Sequence, residues 1–484
     1  MMNDDYHMDL ENFRKNGYKA IDWIVDYLQS VDNYPVLSEV SPGQIRNNLP
    51  KKAPLEGETF DAMLKDVNEL IMPGITHWQS PNFFAYFPAN SSPSSILGEL
   101  ISAGLGVQGM SWITSPSCTE LETHVMDWLV DMLGLPMKFS SADKGGGVIQ
   151  HSASDSTLCA LLAARERAGD VSINERGSNR QLTAYASTQA HSSIEKSCMI
   201  SGIGRDQLRL ISVDENFSMD ACELEAKIVE DKEKGLTPFF ICANVGTTST
   251  LAIDPVGTIA DIAQRHNLWL HVDAAYAGTA AICEEFRYVN NGAEKADSYT
   301  FNPHKWMFTN FDCNAFFVSD RSALLNALSV LPEYLKNKAT MEDDVIDYRD
   351  WHIPLGRRFR ALKLWFVIRH YGTKGLQYHI RKHIEMAQEF KQWVVESENF
   401  QLAVDTDLNL ICFSHKNGDE ITERILELVN SSGKAYLTHT KLNEKFVIRM
   451  SIGQTYTEME HVKKVWLLLN RVAREIDFQE NNLT

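Results

Sequence analysis

From Asp9 to Val31 the apolar residues Ile21, Ile24, Val25, Leu28 and Val31 recur at helical spacing, until Asn33, Tyr34 and Pro35 break the pattern. The period predicts an early amphipathic helix, whose apolar face packs either on its own domain or on a second subunit. Further along, the period shortens. Phe239 to Val245, Leu268 to Val272 and Tyr299 to Phe301 are β-rich runs, and the helical stretch Pro255 to His266 separates the first two. That alternation predicts an α/β domain with a largely parallel sheet. Ligands of such folds collect outside the carboxyl ends of the strands, so the polar residues closing each strand are the place to look for chemistry.

After Trp365 the pattern changes again. It predicts a long helix from Gly375 to Glu396, a strand pair around Leu408 to Ser414, a helix from Glu420 to Asn430, a strand near Phe446 to Ile452 and a last helix from Thr457 to Ile476. This order reads as a small α+β domain. The expected partition is an N-terminal helical segment at 1–88, a large α/β domain at 89–365 and a small C-terminal α+β domain at 366–484. Between confident elements, only Pro332 to Asp347 is long and aperiodic, and it reads as a lid.

A chain of 484 residues is too long for one compact core, which agrees with several units. No segment is apolar over the roughly 18 residues that a membrane span needs. The formal charge of −18 argues against nucleic acid, because phosphate-backbone binding needs clustered Lys and Arg. The opening MMNDDYHMDLENF is acidic and lacks the basic start and apolar stretch of a secretory signal, so a cytoplasmic location is expected. Eight cysteines show no CxxC and no paired spacing, so neither a metal site nor a disulfide framework is expected. Cys313 lies close to Lys305 in sequence and reads as a small residue filling space on a core strand.

Three segments carry candidate chemistry. Ser298-Tyr-Thr-Phe-Asn-Pro-His-Lys305-Trp306 is a β-like run ending in a lysine among aromatic and polar neighbours. Desolvation there lowers an ammonium pKa, and a neutral amine is what forms an imine with an aldehyde. Taken alone, Lys305 equally reads as a surface lysine after a strand. Leu268-Trp-Leu-His-Val-Asp273 is an apolar strand closed by a carboxylate, which is costly to bury without a cationic or hydrogen-bonding partner. Asp273 alone is as well explained by a helix cap or a core Arg partner. Gly145-Gly-Gly-Val-Ile-Gln-His-Ser152-Ala153-Ser154-Asp155 leads into the helix-favouring run Thr157 to Arg167. Hydroxyls and free N–H groups at a helix start suit a phosphate, although a plain N-cap looks the same.

The order of phosphate cradle, His191, Asp273 and Lys305 offers one group for each feature of pyridoxal phosphate. With HWQSPNFFAYFP, SPSCTELE, HVDAAYAG, FNPHKW and PLGRRFRALKLWF, the chain resembles the pyridoxal-phosphate decarboxylases that include the aromatic-L-amino-acid, tyrosine, tryptophan and histidine enzymes. The resemblance runs from about Asp9 to Ile476. It implies a fold-type-I PLP-dependent transferase-like architecture, a homodimer with segment 1–88 in the dimer contact, and Lys305 holding the cofactor covalently. It further implies that His191 stacks on the ring with Ala275 on the opposite face, that Asp273 pairs with the ring nitrogen, and that Thr248 lies near the ring hydroxyl. Ser152, Ala153, Ser154, Asn302 and His304 are implied to hold the phosphate. Catalysis falls to Lys305, Tyr334, His191 and Asp273.

Tyr334, at the start of the expected lid, matches the family's loop tyrosine and is implied to reprotonate the α-carbon. Related plant enzymes that use oxygen to make aldehydes typically carry Phe there, so the resemblance implies simple decarboxylation to an amine. Trp78, Tyr86, Phe87 and Pro88 form an aromatic wall suited to a phenyl or indole side chain, or else plain core. Gly356 matches the glycine of aromatic and tryptophan-type members, where histidine- and tyrosine-type members tend to carry Ser, and implies DOPA, hydroxytryptophan or tryptophan rather than histidine. The resemblance as a whole implies an aromatic L-amino acid drawn from DOPA, 5-hydroxytryptophan, tryptophan, tyrosine and phenylalanine. Ala89, Gln108 and Met110 depart from the family pattern, and Gln108 could hydrogen-bond a ring hydroxyl. The competing expectations are an aromatic aldehyde synthase and a decarboxylase of another amino acid such as histidine.

Overall fold

The computed structural model describes residues 6–169, 173–177, 181–330 and 345–481. Tyr334, with most of the expected lid, lies outside the described residues. The chain divides into two compact units, one of Ala89–Gln392 and Leu402–Cys412, the other of Met1–Pro88, Trp393–Gln401 and Phe413–Thr484.

The larger unit is built on a seven-stranded sheet of β1 (Gly146–Gln150), β2 (Leu182–Ser187), β3 (Leu208–Ile211), β4 (Thr237–Asn244), β5 (Trp269–Asp273), β6 (Ser298–Phe301) and β7 (Asn314–Val318), in the order β1-β7-β6-β5-β4-β2-β3. Only β7 runs antiparallel to its neighbours; the other pairings are parallel. The remaining six strands therefore end at one edge of the sheet. Every residue of β1, β2, β5, β6 and β7 is buried, as a sheet covered on both faces requires. The helix Ala153–Ala168 lays Cys159, Ala160, Leu161, Ala163 and Ala164 into a core with Val148, Ala184, Ala186, Phe240, Trp269 and Phe316. Its alanines let the helix approach the sheet closely, and each large apolar partner contributes about 1.5–3 kcal/mol on burial.

The helix expected from Gly375 to Glu396 is present, and a second helix, starting at Arg360, precedes it across a kink at Gly372 (φ 60°, ψ 170°). The preceding helix escapes a periodicity reading because polar residues sit on its inner face. Buried Arg360 bonds buried Asp312 at 3.0 and 3.2 Å, and buried Lys363 meets the partly exposed Glu99 at 2.9 Å. Burial lowers the Lys363 ammonium to about 8.

In the smaller unit the helix Leu10–Ser30 starts at Asp9, whose side chain accepts the Asn12 N–H at 2.8 Å, yet buries none of its residues. A four-stranded sheet has the order β10-β11-β9-β8, with β8 (Phe400–Leu402), β9 (Leu410–His415), β10 (Thr438–Leu442) and β11 (Lys445–Ser451), of which β10 and β11 fall wholly in the smaller unit. β10 and β11 form an antiparallel hairpin in which Leu442 faces Lys445 across a two-residue turn. Both turn residues, Asn443 (φ 48°) and Glu444 (φ 64°), are left-handed, the twist that a tight hairpin turn demands. The helices Asp419–Ser431 and Met459–Asn481 close this unit. Among the described residues no helix is long and apolar enough to cross a membrane.

Candidate active site

The shared strand edge of the larger unit gathers most of the polar residues singled out in the sequence. Asp273 closes β5, and the next strand leads through Asn302 and His304 to Lys305. The two turns are stitched together: Ala274 N–H donates to Thr300 O at 2.9 Å and Asn302 N–H to Ala275 O at 3.0 Å, while Lys305 N–H returns to Asn302 O at 2.9 Å. On the other side of β5, Val245 N–H donates to Asp273 O at 2.8 Å, which brings the turn carrying Thr248 to the same edge. Thr248 is exposed there, and Ala275 is partly buried.

Lys305 is partly buried, and loss of water lowers its ammonium pKa, opposed by the negative charge of Asp273. Asp273 is buried, and its Oδ1 accepts the Ala275 N–H at 3.0 Å. His191 follows β2, and its ring is still met by solvent. The protein around the ring lowers its pKa, Asp273 raises it, and Lys305 lowers it further, so the ring sits within electrostatic reach of both. Its Nδ1 accepts the Ser193 N–H at 3.2 Å, which leaves the proton on Nε2.

His304 is buried, and its pKa is pushed down to about 3, first by burial and then by Lys305. Its Nδ1 accepts the Cys313 N–H at 3.0 Å, so the neutral ring presents Nε2–H as a donor. Cys313 is a buried thiol pushed up to about 12 by the same loss of water, and it is therefore protonated near neutrality. Behind Asp273, on the same face of β5, His271 is buried with its pKa lowered to about 4. Trp269 Nε1–H donates to Ser298 Oγ at 2.8 Å, and Ser298 in turn meets His271 Nδ1 at 2.8 Å.

At the end of β1, the helix Ala153–Ala168 begins without a side-chain cap from Ser152. The Asp155 and Ser156 N–H groups reach Ser152 O at 3.1 and 3.3 Å. The N–H groups of Ala153 and Ser154 precede the first intrahelical bonds and point out of the helix start. Ser152 and Ser154 are partly buried there, and Ala153 is buried.

A separate cluster in the larger unit holds Gln108, Met110 and Gly356. Gln108 Oε1 accepts the Arg357 N–H at 2.7 Å, Gly109 N–H donates to Arg357 O at 3.0 Å, and Arg349 N–H donates to Met110 O at 2.9 Å. A Cβ placed on Gly356 would stand 3.2 Å from Gln108 Nε2. Ala89 is partly buried in the same unit. Trp78, Tyr86, Phe87 and Pro88 belong to the smaller unit. There Trp78 stacks on Tyr86 at 5.7 Å, the Tyr86 hydroxyl meets that of Tyr436 at 3.1 Å, and Phe87 lies under Arg449 at 5.5 Å.

Several polar residues at the edge went unnoticed in the sequence. Asp254 is buried with its carboxyl raised to about 6 by loss of water, and it accepts the N–H groups of Asn244 (2.7 Å) and Met219 (2.8 Å), which pins the turn after β4. Glu122 Oε1 accepts from the Ile149 N–H at 2.8 Å and from Arg357 Nη2 at 2.6 Å, a buried staple on β1. Asn314 bridges β7 to the turn after β6. Glu122 closes the SPSCTELE motif without its role being visible there, and each of the three acquires a role only through its partners in the fold.

The edge fits pyridoxal phosphate by the chemistry of its groups. It offers an amine with a lowered pKa for an aldehyde, a buried carboxylate for a protonated ring nitrogen, and neutral donors at a helix start and on His304 for a phosphate.

Comparison with known proteins agrees. Residues 42–416 match the pyridoxal-dependent decarboxylase conserved domain. The chain is 46% identical to phenylacetaldehyde synthase of Arabidopsis thaliana over 96% of each chain. It is 45% identical to aromatic-L-amino-acid decarboxylase of Mus musculus over 97% of this chain and 99% of the relative. Among solved structures, the crystal structure of Oryza sativa TDC with PLP and tryptamine superposes with a TM-score of 0.94 at 38% identity, covering 97% of this chain and 99% of that one. By this match and by its strand-edge residues, the chain belongs to the pyridoxal-dependent decarboxylase family.

Proposed function

We propose that this protein converts an aromatic L-amino acid, drawn from DOPA, 5-hydroxytryptophan, tryptophan, tyrosine and phenylalanine, into the arylalkylamine and carbon dioxide. The observation that carries the reading is the partly buried Lys305 with its lowered pKa, one strand from the buried carboxylate of Asp273. Relatives that are 45% identical or more and named for aromatic amino acids or their products support the substrate class.

In this reading Lys305 tethers the cofactor through its amine, Asp273 keeps the ring nitrogen protonated, and His191 and Ala275 take the two ring faces. Ser152, Ala153, Ser154, Asn302 and His304 hold the phosphate, and Thr248 lies by the ring hydroxyl. Bound pyridoxal phosphate supplies an electron sink for the pair left by the departing carboxyl group. The protein's part is to hold the substrate carboxyl group across the ring plane, to exclude water, and to return one proton to the α-carbon. Tyr334 is assigned that proton. Trp78, Tyr86, Phe87, Pro88, Gln108, Met110 and Gly356 are assigned the substrate side chain, with Gln108 reading a ring hydroxyl.

The protein works as a homodimer in the cytoplasm, with 1–88 as the dimerisation segment, 89–365 as the cofactor-binding domain and 366–484 as the small domain. Apolar residues left exposed on two helices support a subunit contact: Leu10, Phe13 and Tyr18 on one, Leu97, Leu100, Ile101 and Leu105 on the other. Light scattering on the purified protein reads the assembly, and a monomeric mass at working concentration would end that part of the reading.

Incubating the holoenzyme with a panel of aromatic amino acids, histidine and glutamate tests the activity. Amine and CO2 in equal amounts from aromatic substrates are expected; turnover of histidine or glutamate alone would contradict the substrate class. The likeness to phenylacetaldehyde synthase favours a second reading, in which oxygen diverts the product to an aldehyde. Peroxide and aldehyde in place of amine would establish it, and the hydroxyl of Tyr334 argues for the amine.

A further inference from the structure

A chain of buried side chains runs beneath the strand edge, and its polarity is set from one end. The carboxamide of Asn314, the first residue of β7, is fully buried. Its Nδ2 stands 3.1 Å from Phe301 O, 2.8 Å from Thr300 Oγ1 and 2.7 Å from Asn302 Oδ1. A backbone carbonyl can only accept, so the Phe301 contact settles which end of Asn314 carries the N–H groups. Asn302 must then turn its oxygen toward Asn314. Its own NH2 is left facing the opposite way, as a donor.

The other end of Asn314 faces a hydroxyl that has one proton for two acceptors, Asn314 Oδ1 and Gln150 Oε1. That hydroxyl belongs to Ser156, which lies in the first turn of Ala153–Ala168 and is 3.0 Å from Gln150 Oε1. Gln150 Nε2 in turn donates to Trp351 O at 3.0 Å. One buried amide thus links the turn that leads to Lys305 with the helix start at Ser152 to Ser154.

We propose that Asn314 is a positioning residue for the cofactor's phosphate: by holding Asn302 Oδ1 and the first helical turn together, it orients the Asn302 amide to donate. The inference rests on the assignment of Asn302 to the phosphate. Asn314 itself touches neither cofactor nor substrate in this account; it acts through Asn302 and Ser156. An acceptor turned toward the phosphate would repel it, whereas the oriented NH2 adds a charge-assisted hydrogen bond.

The test compares apoenzyme affinity for pyridoxal phosphate with affinity for pyridoxal, which lacks the phosphate, by titrating the visible absorbance of the bound aldehyde. Asn314→Ala should weaken pyridoxal phosphate by about 10-fold and leave pyridoxal within about 2-fold, because one charged hydrogen bond is misaligned. Asn314→Asp should weaken it more, since a carboxylate cannot donate to Asn302 and adds a like charge. In an Asn302→Ala background, Asn314→Ala should cost nothing further, as expected of two residues acting as a unit. Should Asn314→Ala fail to fold, Asn314→Ser retains a donor in the cavity and is read the same way.

Equal losses for both aldehydes would mark a general packing role and overturn the proposal, as would additive losses in the double variant. If Asn302→Ala leaves phosphate discrimination intact, the assignment of Asn302 falls and this inference falls with it. If Asn302→Ala loses it and Asn314→Ala does not, only the inference falls.

Discussion

The two sheets of this protein follow opposite rules. In the seven-stranded sheet all strands but β7 run the same way, so their carboxyl ends share one edge, and Asp273, Lys305, His191, Thr248 and the helix start at Ser152 meet there from five separate stretches of chain. In the β10–β11 hairpin neighbouring strands reverse, so one strand ends where the next begins. Burial follows the same division. β5 and β6 are buried at every residue, whereas β10 alternates toward solvent. A parallel sheet concentrates strand ends into a site, and an antiparallel hairpin supplies stability without doing so. Changes at the first should move chemistry, and changes at the second should move only the folding equilibrium.

The largest expected effect is at Tyr334. Tyr334→Phe should lower amine formation by about 10²–10⁴-fold, the scale of one positioned proton donor, with cofactor absorbance intact. Amine produced at the parent rate would remove Tyr334 from the mechanism. Next comes the staple under β1. Glu122→Ala strands the buried Arg357 guanidinium and should cost about 3–5 kcal/mol of unfolding free energy in urea titrations. Both the melting transition and cofactor retention should suffer, because the staple holds Ile149, three residues before Ser152.

Acid sharpens the same contrast. Buried His304 and His271 have pKa values pushed down to about 3 and about 4, below an unfolded value of about 6.5. Below that value the unfolded chain binds protons that these rings refuse, so their contribution is complete above pH ~6.5 and is lost progressively toward pH ~4, at about 1.4 kcal/mol per pH unit for each ring. Asp254 works the other way. Its carboxyl is raised to about 6, so its contribution is present at low pH and is lost as pH rises between ~4 and ~6. Two rings outweigh one carboxyl, and apoenzyme stability should fall between pH 6.5 and 4. His271→Asn should flatten that slope by about one proton; an unchanged slope would mean that His271 is not held neutral.

The smallest effect is expected in the hairpin turn. Glu444 is held left-handed at φ 64°, so Glu444→Gly should stabilise the protein by about 1 kcal/mol and leave kcat and KM unchanged. A shift in kcat would break the division of labour between the two sheets.

How much of this was readable in the sequence depended on distance along the chain. Strand-end residues stand out within a few positions of their own apolar run, as Asp273 does after Leu268 to Val272 and Lys305 after Tyr299 to Phe301. The parallel order of those strands also followed from their alternation with helices. Arg357 and Glu122 lie 235 residues apart, and Asn314 and Ser156 lie 158 apart, so no local pattern announces either pair. Polar residues turned inward hid the start of the helix at Arg360. The strand β10 was missed because its Thr438-His-Thr-Lys-Leu run buries only one face and reads as polar.

The central claim is that the amine of Lys305 carries the cofactor aldehyde. Reducing the holoenzyme with borohydride and mapping its peptides tests this most directly. The account predicts one stable pyridoxyl group per chain, on the peptide containing Phe301 to Trp306; a label on another lysine, or none, would contradict it.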